Sequence, residues 1–233
     1  MLKIFPEKLE ASYYTASLFI DTCRKAIEER GKCTVALTGG GSPDKLYALL
    51  AEEKDKLDWS KMYIFWGDER MVPFSHPDNN AAMAYDLLLN HVPVNPKQVF
   101  RMHHEPDPET AANAYEKKVT DVLGEKNPRF DLVLLGMGDD GHTASLFPAT
   151  EALQETNRWV VANYVENKKT WRMTFTYPLI NRARQVVFLV FGEKKAPVLN
   201  EVLNNEKKKY PVQHVEAEQV AWILDKAAAG NLH

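Results

Sequence analysis

Phe130-Asp131-Leu132-Val133-Leu134-Leu135-Gly136-Met137-Gly138-Asp139-Asp140-Gly141-His142-Thr143-Ala144-Ser145-Leu146-Phe147-Pro148 is the stretch on which the fold turns. Its first six residues are almost wholly apolar, and Gly136 stops them. Continuous rather than alternating apolarity predicts a strand covered on both faces, as in a parallel sheet. The same design recurs at 34–37 before Gly39, at 62–66 before Gly67 and at 186–191 before Gly192. Residues 158–161 and 220–224 read as further strands.

Helical periodicity fills the gaps at 8–30, 78–91, 109–123 and 194–204, and at 42–54 with Ser42 as N-cap. Residues 103–108 read as a loop, and Lys207-Lys208-Lys209 as a solvated helix end. Strand and helix alternate throughout, with no linker, repeat or low-complexity tract. The expectation is one α/β domain over 1–233, Rossmann-like and doubly wound, with a mostly parallel central sheet and helices on both faces.

Composition narrows the function. The 233 residues are 45% hydrophobic and 26% charged, which is globular rather than disordered. Net charge is −3, from 29 basic and 32 acidic residues, so the basic excess of a nucleic-acid or anionic-membrane protein is missing. Cys23 and Cys33 form neither a disulfide framework nor a CxxC zinc site. No run reaches 18 uncharged apolar residues, and the first residues do not read as a secretory signal. The expected address is the cytoplasm, with no membrane or obligate protein partner.

Ligands of open α/β sheets bind at the carboxyl ends of the strands, and the unusual residues of this chain fall there. After the first strand comes Thr38-Gly39-Gly40-Gly41-Ser42. Its glycines admit a ligand close to the backbone, and the helix start behind offers N–H groups to a phosphate. It is neither a Walker A loop nor a GxGxxG fingerprint. After the second strand, Asp68-Glu69-Arg70 supplies groups for sugar hydroxyls, for a phosphate or for proton transfer. After the third, Asp139, Asp140 and His142 fall within four positions, and a carboxylate-oriented imidazole is the natural base for activating water. After the fourth, Lys194 and Lys195 sit at a helix start, which the macrodipole disfavours unless an anion binds; Lys194 is assigned to solvent and Lys195 to the anion. No GxSxG elbow points to a serine nucleophile.

These motifs resemble the family of 6-phosphogluconolactonases and glucosamine-6-phosphate deaminases. The segment from Gly136 to Pro148 is similar to the lactonase signature. So are Trp66-Gly67-Asp68-Glu69-Arg70-Met71-Val72-Pro73, Ser75-His76-Pro77-Asp78-Asn79-Asn80 and Arg172-Met173-Thr174-Phe175-Thr176. The deaminase branch has Asp-Glu-Tyr where Asp68-Glu69-Arg70 stands, and Ile-Ala-Phe-Asn-Glu-Pro where Thr143 to Pro148 stands. The resemblance therefore implies hydrolysis of 6-phospho-D-glucono-1,5-lactone in the oxidative pentose phosphate pathway, without metal or organic cofactor. It implies His142 as the base, with Asp140 or Asp68 orienting either it or the ring hydroxyls. It also implies a phosphate site made by Gly39, Gly40, Gly41, Ser42, Arg70 and Lys195, with Arg172 as a further candidate. The competing readings are a sugar-phosphate deaminase or isomerase and a noncatalytic sugar-phosphate sensor.

Overall fold

The computed structural model describes residues 1–103, 105–205, 207–230 and 232. The chain runs β1 (Leu2–Phe5), α1 (Lys8–Arg30), β2 (Cys33–Leu37), α2 (Asp44–Glu52), β3 (Met62–Trp66), β4 (Asp68–Arg70), α3 (Asn80–Ala84), α4 (Pro108–Leu123), β5 (Leu132–Gly136), β6 (Val160–Val165), β7 (Thr170–Phe175), α5 (Tyr177–Ile180), β8 (Gln185–Val190), α6 (Ala196–Asn204), β9 (Gln219–Asp225) and α7 (Lys226–Ala229). Six strands form one sheet in the order β1-β9-β8-β5-β2-β3, and every neighbouring pair is parallel.

The apolar runs are continuous because both faces of this sheet are covered. On β5, Leu132 and Leu134 face one core, shared with Phe19 of α1 and Leu46 of α2. Val133 and Leu135 face the other, shared with Tyr115 of α4 and Leu199 of α6. β2 and β8 alternate in the same way. Burying one such aliphatic side chain stabilises the fold by about 1.5–3 kcal/mol, which is why a polar residue in these strands is costly. Among the described residues, no helix is long and apolar enough to cross a membrane.

The sheet order creates a crevice. From β2 the chain passes to β3 on one side, whereas from β5 it passes to β8 on the other. The strand order thus reverses between β2 and β5, the place where open α/β sheets bind ligands. The loops at 39–42 and 137–142 leave the carboxyl ends of those two strands and flank the crevice.

Several elements depart from the sequence reading. Residues 158–161 were expected to supply a strand like the others, but β6 starts at Val160 and belongs to a separate antiparallel sheet, β4-β7-β6. The Asp68–Arg70 segment, expected just past the end of the strand at 62–66, is itself a strand of that sheet. The helix expected at 78–91 is α3 followed by a π-helical turn at Tyr85–Leu89. Ser42 does not cap α2: the residue before the helix is Pro43, and no side chain caps it. The expected loop at 103–108 includes His104, which lies outside the described residues, and Pro108 already opens α4. Lys208 and Lys209 are exposed and pair with Glu216 and Glu201, as a solvated surface requires.

Candidate active site

The loop after β5 is closed by its own backbone. The Gly138 amide donates to the His142 carbonyl at 2.8 Å, and Thr143 Oγ1 donates to the Gly136 carbonyl at 2.8 Å. This folds the His142 ring back over Gly138, where a Cβ would overlap both the imidazole and the Asp140 carboxylate. Asp140 Oδ1 accepts the His142 amide at 3.1 Å and lies 2.5 Å from Nδ1 of the ring. Phe147 stacks on the imidazole, with centroids 3.9 Å apart and planes 22° from parallel. The ring is therefore fixed by Asp140 at one nitrogen, by Gly138 beneath and by Phe147 across its face. Partial burial alone would raise the Asp140 carboxyl, but the hydrogen bonds and charge of His142 outweigh it and hold it at about 2. Asp140 is an anion at neutral pH, so Nδ1 carries the proton and donates to it. No group among the described residues bonds Nε2, and His142 lines a cleft of about 710 Å³.

The turn after β2 forms a second wall. Gly39, Gly40, Gly41 and Ser42 all line the cleft. Their four amides find no acceptor among the described residues. A Cβ on Gly39 would collide with the Asn80 side chain, so the close approach of turn and α3 requires glycine there.

The third wall comes from β4 and β7, whose antiparallel register sets Asp68 opposite Thr174 and Arg70 opposite Arg172. Both arginines line the cleft, and both keep a buried Nε without an acceptor among the described residues. Burial first, and then the charge of Arg70, lowers the Arg172 pKa. Arg70 is steadied by Nη1 donating to the Asp78 carbonyl at 2.5 Å. Asp68 is buried on the cleft wall, where Ser145 Oγ donates to its Oδ2 at 2.7 Å. The two candidate carboxylates thus separate: Asp140 contacts His142, and Asp68 contacts Ser145. Glu69 points away from the cleft. Its carboxylate accepts the amides of Asn80 and Ala81 at 2.8 and 2.9 Å, which caps α3.

Beyond β8, Lys195 lines the cleft while Lys194 is exposed, as expected. Lys195 Nζ lies 2.5 Å from Asp139 Oδ1, so a carboxylate of the β5 loop already offsets part of the unfavourable charge at that helix start.

Sequence reading did not single out Lys8, Asn80, Ser145, Lys168 or Asp225, all of which line the cleft. Asn80 donates from Nδ2 to the Asp68 carbonyl at 3.1 Å and keeps a buried Oδ1 without a partner. Lys8 carried one usable signal, a cation at a helix start; Lys168, at the β6–β7 turn, carried none. The cleft is lined by five basic side chains (Lys8, Arg70, Lys168, Arg172 and Lys195) and two acidic ones (Asp68 and Asp225), on a chain whose net charge is −3. It is a locally basic cleft on a chain of net negative charge. Among the described residues, no three His, Cys, Asp or Glu side chains converge as metal ligands.

Comparison with known proteins bears on the family and the fold. The model of the family "Glucosamine-6-phosphate isomerases/6-phosphogluconolactonase" matches residues 6–223. A 6-phosphogluconolactonase of Synechocystis is 43% identical over 215 residues, covering 89% of this chain and 88% of its own. A solved 6-phosphogluconolactonase from Trypanosoma cruzi superposes with a TM-score of 0.88 at 31% identity, over 99% of this chain and 96% of that one. A monomeric glucosamine-6-phosphate deaminase superposes with a TM-score of 0.80 at 21% identity, over 98% of each chain. That last likeness shows the fold alone, so the scaffold does not choose between the two chemistries.

Proposed function

The chain belongs to the glucosamine-6-phosphate isomerase/6-phosphogluconolactonase family, on its lactonase side, and from that premise we propose that it hydrolyses 6-phospho-D-glucono-1,5-lactone to 6-phospho-D-gluconate with a water activated by His142. It does so in the cytoplasm, as a step of the oxidative pentose phosphate pathway, with no cofactor and no obligate protein partner. The observation that carries the mechanism is the fixed imidazole: Nδ1 on Asp140 at 2.5 Å, with Nε2 unpaired on a residue that lines the cleft.

The lactone carbonyl is already electrophilic, so a positioned water and a base suffice. Water attacks C1 as Nε2 takes its proton, and the carbonyl oxygen becomes a tetrahedral oxyanion. Amides of the glycine-rich loops that line the cleft are suited to stabilise that charge. As the intermediate collapses, the bond from C1 to the ring oxygen breaks. The imidazolium then returns its proton to that oxygen, which becomes a hydroxyl. Asp140 holds the tautomer and stabilises the imidazolium, and Asp68 accepts from a ring hydroxyl. The phosphate is held by the turn at 39–42, by Arg70 and Arg172, and by Lys195. Support for this placement lies in the unpaired turn amides and the two orphaned guanidinium nitrogens, which an anion would satisfy.

Two assays run in parallel test the reading. The first follows 6-phosphogluconate from freshly made lactone, with spontaneous hydrolysis subtracted. The second follows ammonia from glucosamine 6-phosphate. Lactone hydrolysis without ammonia is expected. Ammonia without lactone hydrolysis would replace this reading with a deaminase, and sugar-phosphate binding without either activity would replace it with a sensor.

A further inference from the structure

Lys8 opens α1, the end of a helix at which the macrodipole disfavours a cation. Its contacts supply the reason. Nζ donates to the Gly41 carbonyl at 2.5 Å and lies 2.6 Å from Asp44 Oδ1, and the side chain lines the cleft. Gly41 belongs to the turn whose amides find no acceptor, and Asp44 is the first residue of the helix behind that turn. Left alone, the Asp44 carboxylate would oppose any anion in the turn. The Gly41 carbonyl, left untied, would be free to turn an acceptor toward the same anion.

We propose that Lys8 is a positioning residue of the phosphate site. It neutralises Asp44 and ties back the Gly41 carbonyl, so that the turn presents N–H groups to the substrate phosphate. The proposal rests on the phosphate reading given above. Nothing local in the sequence connects the partners, because Lys8 lies 33 residues from Gly41.

The test compares Lys8→Met, Lys8→Arg, Asp44→Asn and the double variant Lys8→Met/Asp44→Asn. Each is assayed on phosphorylated lactone and on glucono-1,5-lactone, with Arg70→Ala as reference. Lys8→Met is expected to raise KM for the phosphorylated lactone roughly tenfold, on the scale of one charge-assisted contact, with the loss falling on KM rather than kcat. Lys8→Arg should retain most of the affinity. Adding Asp44→Asn to Lys8→Met should restore much of it, because the uncompensated charge is gone. A double variant as poor as Lys8→Met would overturn the proposal, as would an unchanged KM or an equal loss on both lactones. If Arg70→Ala also fails to distinguish the two lactones, the phosphate reading itself falls. If Arg70→Ala distinguishes them and Lys8→Met does not, the reading stands and only the role of Lys8 falls.

Discussion

β2 and β5 run side by side, and their two ends follow opposite rules. At the amino end, Asp131 is buried and fully engaged. Its Oδ2 accepts the Thr34 amide at 2.8 Å and the Thr34 hydroxyl at 2.9 Å, while Oδ1 accepts from Arg30 Nε at 3.0 Å and pairs with Arg184 at 3.4 Å. At the carboxyl end, the turn amides and the Nε atoms of Arg70 and Arg172 have no acceptor among the described residues, and the Asn80 Oδ1 has no donor among them. Of the five buried side-chain atoms without a partner among the described residues, only Arg129 Nε lies near the amino end. Unpaired buried polar groups cost stability, so a fold tolerates a cluster of them where something else satisfies them. One end of the sheet satisfies its polar groups internally, and the other leaves them open to the cleft.

This contrast is broken most forcefully at His142. His142→Ala should lower kcat by roughly 10²–10⁴, the worth of a positioned base, and leave the melting temperature nearly unchanged. A variant with wild-type kcat, measured where chemistry limits the rate, would remove the base.

Asp131→Ala should do the reverse. It strips the acceptor from the buried amide and hydroxyl of Thr34 and removes a carboxylate from the partly exposed Arg30 and Arg184, which should cost about 2–4 kcal/mol in denaturant unfolding. Activity per folded molecule should hold. A fall in kcat with stability intact would show that the two ends are not separate in function.

Arg70→Ala is expected to lose about 1.5–3 kcal/mol of substrate stabilisation, a charge-assisted contact, and much less on a lactone without phosphate. Steady-state kinetics on the two lactones measure the difference. Equal losses would take Arg70 out of the phosphate site.

The smallest effect sharpens the boundary within the carboxyl end. Glu69 stands beside Arg70, yet it serves α3. Burial outweighs the hydrogen bonds from Asn80, Ala81 and Arg70 and pushes its carboxyl up to about 7. Folded protein therefore binds more protons here than unfolded chain between the ordinary carboxyl range and about 7. The stability from this group is present in acid and is lost as pH rises through about 7, on the order of 1–3 kcal/mol. Glu69→Gln should flatten that slope in unfolding curves taken from pH 5 to 8. An unchanged slope would assign the pH dependence elsewhere.

The parallel sheet was legible because each of its central strands is covered on both faces, and double burial writes itself locally as an unbroken apolar run ended by glycine. The positions of the loops followed from that, and with them Gly39, Gly40, Gly41, Ser42, Asp68, Arg70, His142 and Lys195 on one cleft. The antiparallel sheet was not legible. β4 is only three residues long and wholly polar, and it is a strand because β7, about a hundred residues later, supplies its partner. That pairing alone sets Arg172 beside Arg70. Tertiary structure likewise decided that Asp140 rather than Asp68 reaches His142, that Ser145 holds Asp68, and that Lys8 reaches Gly41 and Asp44. The physical reason is range. Burial and backbone geometry act on neighbouring residues and leave a periodic trace in the chain, whereas a hydrogen bond or ion pair between distant segments leaves none until the fold has brought its partners together.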